Sequence, residues 1–125
     1  MQQFTQAIMC EFANDGKSLT LCNSFCYYLA RPRGVISRIV VPKGFKSDGF
    51  SNFGFNFIVP KFGKGLKCAV LHDYLCEGFH KGLNSRRFAD EIFLEAMLQT
   101  KAFSKPKAYL LYFLVRVFAK VKGYQ

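Results

Sequence analysis

Acidic residues are scarce in this chain. Only 8 Asp and Glu stand against 18 Lys and Arg, a formal charge of +10 at neutral pH. Such a surface is drawn to polyanions: nucleic acid, anionic lipid, cell-wall polymer or an acidic protein. Charge alone does not choose among them, and a solvated basic shell around a Phe-rich core is the plainer account. Long apolar runs are lacking too. The longest, residues 108–115, stops at Arg116 and falls short of the roughly 18 residues a membrane span needs. The opening MQQFTQAIMCEF lacks a basic region followed by an apolar one, so no secretory signal is expected. Tryptophan is absent, which excludes nothing, and neither an internal repeat nor a low-complexity tract occurs.

What is present fits one domain over residues 1–125, with strands and loops at about 4–65 and helices at about 66–122. Half of the residues are apolar and 15 are Phe, ample material for a core. Cys10, Cys22, Cys26, Cys68 and Cys76 make an odd set, and reduced thiols in the cytoplasm of synthesis are the expectation.

Residues 18–29 (SLTLCNSFCYYL) and 35–41 (VISRIVV) read as strands pairing across an RPRG turn, with an earlier turn at Asp15-Gly16 leading out of a first short strand. Cys22 and Cys26, evenly spaced, are expected on one buried strand face. Residues 45–65 are rich in Gly and Phe and irregular, the kind of long loop that carries function. Helical periodicity begins at residues 66–79 and continues at 85–100, with Asn84 or Ser85 as N-cap, and at 104–122, with Pro106 in the first turn and Gly123 beyond the end. Strands first and helices after make an α+β fold with segregated elements, a small antiparallel sheet and three packed helices.

The stretch AVLHDYLCEGF carries the chemistry. On a helical wheel His72 shares an apolar arc with Cys68, Ala69, Leu75, Cys76 and Phe79, whereas Asp73 falls at its edge beside Glu77. On the next helix Phe88, Ala89, Ile92, Phe93, Ala96 and Met97 form the buried arc, with Asp90 at its edge near Arg86, and Glu91 and Glu95 turned away. Asp90 is then the natural acceptor for His72. One reading is a dyad, His72 as general base oriented by Asp90, with Asp73 and Asp48 free to hold calcium or another divalent cation. The plainer reading is a hydrogen-bonded core histidine with no chemistry. Cys68, His72 and Cys76 form one stripe, but thiolates eight residues apart on a helix stand about 12 Å apart, too far to share one zinc. The third helix is apolar nearly all round and is expected as the central helix of the core. Arg116 within it is expected to reach Asp48 or Asp73.

VVPKGFKSDGFS, AVLHDYLC, SRRFADEIFLEAM and YLLYFLVRVF, in this order, resemble a phage-encoded family catalogued as domain of unknown function 1353. Its pattern marks Pro42, Gly44, Phe45, Asp48, Ser51, His72, Asp73, Ala89, Asp90, Phe93, Met97 and Arg116 here. Ser47 replaces its usual Thr, Phe50 and Asn52 change the loop around Ser51, and Cys76 stands where Tyr is usual. The resemblance implies a bacteriophage origin and synthesis in the bacterial host's cytoplasm, and supplies no activity. The His-Asp helix is also loosely similar to phospholipases that cleave the sn-2 acyl chain, in which the His activates water, the adjacent Asp binds calcium and a distal Asp orients the His. FGKG at residues 62–65 stands where those enzymes have their Gly-rich loop.

Three functions follow as expectations. One is a metal-assisted His/Asp hydrolase acting on the bacterial envelope. Another is a non-enzymatic virion or assembly component whose partners are other phage proteins, with Ser51, Arg86 and Arg116 as structural polar residues. The last is nucleic-acid binding, for which lysines are plentiful but no reading motif is visible.

Overall fold

The computed structural model describes residues 9–12, 14, 18–47 and 64–125. Asp15-Gly16, Asp48, Ser51 and most of the Gly- and Phe-rich loop lie outside these residues. Short strands come first: β1 (Cys10–Phe12), β2 (Leu19–Leu21), β3 (Phe25–Arg33), β4 (Ile36–Val41) and β5 (Lys46–Ser47). Helices α1 (Lys64–His80), α2 (Arg86–Thr100) and α3 (Lys105–Lys122) follow, so the fold is α+β. None of the described helices is long and apolar enough to cross a membrane.

The strands form an antiparallel sheet in the order β1-β2-β5 and a separate β3-β4 hairpin. Residues 18–29 are therefore two strands, broken by a bend at Cys22 and Asn23. Phe25, Tyr27 and Leu29 point inward from β3, so Cys26 takes the opposite, half-buried face while Cys22 lies exposed in the bend. The expected common face of these cysteines does not form. The hairpin turn also sits later than RPRG suggests. Arg33 pairs with Ile36, leaving Gly34 and Val35 as the two-residue loop. Such a loop needs positive φ, and Gly34 supplies it at 63°. Pro32, which has no N–H to give the ladder, falls where the pairing is irregular between Tyr28 and Arg33.

After β4, Pro42 ends the strand and Gly44 turns at φ 87°, a conformation that favours glycine. The turn lets Gly44 N donate to Leu21 O (2.9 Å) and Leu21 N donate to Phe45 O (3.0 Å), passing the chain from the hairpin to the other sheet. Phe45 then meets the Tyr74 ring of α1 edge-on at 5.3 Å. The V-P-K-G-F motif is thus a crossover device.

Helix α2 lies against both α1 and α3 and also touches β3. Its N-cap is Ser85, whose Oγ accepts from Phe88 N at 3.0 Å. Tyr27 donates its hydroxyl to Glu95, Ala30 N donates to the same carboxylate (3.2 Å), and Arg33 pairs with Glu91 at 2.7 Å. Glu91 and Glu95 therefore turn away from α1 and bind the sheet. Burial, and then the hydrogen bond to Glu95, push the Tyr27 pKa up, so the phenol stays the donor.

Every residue from Cys68 to His72 is buried, which makes α1 the innermost helix. That corrects the expectation for α3. Only Ala108, Leu111, Val115 and Ala119 of α3 are buried, a single stripe against α2. Apolar composition cannot tell a helix buried all round from one packed on a single side. Beyond Gly123, at φ 73°, the chain folds back and lays Tyr124 against Phe79 and His80.

A buried polar centre as the candidate functional site

The centre is built on α1 and α2 and closed by α3. His72 on α1 is 2% exposed and Asp90 on α2 is 0% exposed. His72 Nε2 stands 2.7 Å from Asp90 Oδ1, the pairing the two helical wheels predict. Asp90 is inside the contact, however, and not at its edge. Arg86, one turn earlier on α2, donates from Nε to the same oxygen at 3.0 Å. Arg116 donates from Nη1 to Asp90 Oδ2 at 2.8 Å. The crossing of α3 over α2 brings Arg116 onto Asp90 and not onto Asp73 as expected, while Asp48, the other expected partner, lies outside the described residues. One carboxylate thereby ties together three helices.

Arg86 is itself buried, with its guanidinium over the rings of Phe118 (5.7 Å) and Tyr124 (5.6 Å). These aromatic faces favour a cation away from water. The wheel puts Arg86 at the margin and Phe88 in the buried arc; in the structure Arg86 is buried and Phe88 only half-buried. The signal for Arg86 was its i,i+4 spacing to Asp90.

The His72 ring stacks on Phe93, centroid to centroid 4.5 Å. Cys76 Sγ lies 3.4 Å from His72 Nε2 and 3.8 Å from Nδ1. Burial alone would press His72 toward its neutral form, but Cys76 and Asp90 outweigh it and raise its pKa from 6.5 to about 9. Burial likewise opposes the Asp90 charge; the hydrogen bond and charge of His72, and then Arg86, hold its pKa below 3.8. At neutral pH this is an imidazolium–carboxylate pair flanked by guanidiniums.

Two kinds of chemistry can be tested against this geometry. A nucleophile–His–carboxylate relay uses opposite ring nitrogens for its two partners. Here the thiol and the carboxylate both lie nearest Nε2, so the relay is not laid out. His72, Cys76 and Asp90 also offer ligand atoms within 4.8 Å of one another, a donor set of zinc type. Both Asp90 oxygens already bind guanidinium groups, and a divalent ion would sit against those fixed positive charges. The trio suits protons better than a metal. Cys68 faces elsewhere: its Sγ is 3.7 Å from Thr100 Oγ1, and burial pushes its pKa up to about 12.

Asp73 points away from this centre and is half-buried. Its Oδ2 accepts from Ser47 Oγ at 2.8 Å, joining β5 to α1. Sequence reading missed Ser47 as a partner; the available signal was a hydroxyl at the position where the resembled family has Thr. Asp48 and Ser51 fall outside the described residues, so the proposed cation pair of Asp48 and Asp73 is not placed.

The family model described as Protein of unknown function (DUF1353) matches residues 19–115. The chain belongs to the DUF1353 family. Comparison with curated proteins and with solved structures returns no match. The DUF1353 match takes in Ser47, His72, Asp73, Arg86 and Asp90 and stops one residue before Arg116. What it spans therefore includes both the β5–α1 link and the His72–Asp90 pair. Cys76, which differs from the Tyr of the motif, lies directly beside His72.

Proposed function

We propose that this chain is a non-enzymatic component of a bacteriophage particle or of its assembly, made in the host cytoplasm and bound to other phage proteins. The phage assignment rests on the motif resemblance. The non-enzymatic assignment rests on the enclosure of His72, which is 2% exposed. A general base must be neutral near its working pH and within hydrogen-bond reach of the proton it removes. His72 is enclosed and faces Asp90 through Nε2, and its contacts with Cys76 and Asp90 favour its protonated form. In this reading the polar centre sets how the three helices pack.

The test pairs two measurements. Quantitative mass spectrometry of purified particles is expected to find the protein at stoichiometric copy number. The His72→Gln protein is expected to unfold at lower temperature while wild type and variant alike leave phospholipid and peptidoglycan intact. Hydrolysis by the wild type that disappears in a folded His72→Gln protein would overturn the reading.

A second reading, a metal-assisted His/Asp hydrolase acting on the bacterial envelope, is favoured by one observation. Asp73 is partly open and tied to Ser47, the residue directly before Asp48 in sequence. If Asp73 and Asp48 hold calcium, the ion raises the melting temperature and Asp73→Asn removes that rise. A melting temperature indifferent to calcium counts against it.

A further inference from the structure

The side of α3 turned away from α2 is apolar as well. Tyr109 (53%), Leu110 (51%), Phe113 (61%), Val117 (41%) and Val121 (78%) are all exposed. At 100° per residue they share one arc, opposite the buried stripe, and they run for about 18 Å along the axis. Exposed patches of this kind mark interaction surfaces. No described element covers this one.

We infer that the outer face of α3 docks in the plane of an anionic lipid surface. Charge is the first argument. After Glu95 the sequence has no acidic residue, and it carries Lys101, Lys105, Lys107, Arg116, Lys120 and Lys122. Arg116 is engaged with Asp90, and Lys107 and Lys122 lie over the Phe103 and Phe118 rings, which leaves Lys105 at one end of the stripe and Lys120 at the other as the lysines most open to the partner. On the wheel Lys105 and Lys107 flank the apolar arc on either side, and Lys120 closes its far end. Lysines so placed reach headgroup phosphates while the stripe enters the acyl boundary. Each contributes about fivefold in affinity near an anionic surface.

The second argument is the chemistry of the stripe. Between Tyr109 and Lys120 its exposed members are Leu110, Phe113 and Val117, none able to hydrogen-bond. A protein partner would need a groove shaped to this ridge; a fluid apolar medium needs none. A second copy of α3 would bring lysines against lysines. The helix is too polar to span, so it lies flat.

The experiment is flotation of the purified full chain with vesicles of phosphatidylglycerol and phosphatidylcholine, and with phosphatidylcholine alone. The wild type floats with the anionic vesicles, less so as salt rises, and only weakly with the neutral ones. The double variant Phe113→Gln, Val117→Gln loses at least about tenfold in affinity, since partial burial of these side chains is worth that much. Both positions are exposed, so its circular dichroism and melting temperature stay as in wild type. No flotation with anionic vesicles overturns the inference, as does undiminished flotation of the double variant. Sedimentation showing a dimer that the double variant breaks assigns the face to a second copy instead. Binding of polyglutamate that the substitutions abolish, without vesicle binding, assigns it to an acidic protein.

Discussion

Asp90 has no exposed surface, yet it carries a charge, and three cationic donors reach its two oxygens. Burying a carboxylate is costly unless its lone pairs are met, and removing one member of such a cluster leaves the others uncompensated. Asp90→Ala is therefore expected to cost about 3–5 kcal/mol in urea unfolding, because it strands Arg86, Arg116 and His72 together. Arg116→Met should cost less, about 1–3 kcal/mol, since its side chain keeps 17% exposure and water replaces part of what is lost. Equal losses for the two would mean that Asp90 is not the hub. The His72–Asp90 pair is legible in sequence because both residues sit on readable helices, each on or beside an apolar arc that has to meet the other. Arg116 is not, since it belongs to a third helix whose crossing angle no spacing encodes.

At the scale of elements, β5 is only two residues long and is fixed to α1 by side chains. Ser47 Oγ donates to Asp73, and Phe45 meets Tyr74. Ser47→Ala is expected to lose about 1–3 kcal/mol, the worth of a hydrogen bond to a charged acceptor, whereas Ser47→Thr keeps the hydroxyl and should lose less. Thermal unfolding of the pair checks this; similar losses for both would mean that packing around Ser47, not the hydroxyl, holds β5. Glycine marks the sharp approaches. A Cβ on Gly65 would meet the Phe103 ring at 2.5 Å, which lets the start of α1 close on the α2–α3 connection. The three helices were evident from periodicity and caps. The split of residues 18–29 into two sheets was not, because both halves alternate alike and the bend at Cys22 and Asn23 has no Gly or Pro to announce it.

For the molecule as a whole, the polar centre makes stability depend on pH at both ends. The His72 pKa is raised on folding, so its contribution is complete below 6.5 and is lost as the pH climbs through about 9. The Asp90 pKa is lowered on folding, so its contribution is present above 3.8 and is lost as the pH falls below that value. The melting temperature should therefore peak between about 4 and 6.5 and drop by about 5 °C or more toward pH 9. Calorimetry across that range on the wild type and on His72→Gln is the check: the alkaline decline should flatten in the variant. An unchanged slope would remove His72 as its source.

Sequence alone determined the order of elements, the three helices with their caps, and the facing of His72 and Asp90. These depend on local periodicity and on residues within a few turns of each other. Only the tertiary structure decided that α1 and not α3 is innermost, that Arg86 and Arg116 close on Asp90, and that Ser47 holds Asp73. Each of these depends on how separate elements cross in space. An apolar helix carries no mark of how many neighbours it will have. The stretch AVLHDYLCEGF carries the His72 of the pair; the guanidiniums around Asp90, supplied by α2 and α3, join that pair to three helices.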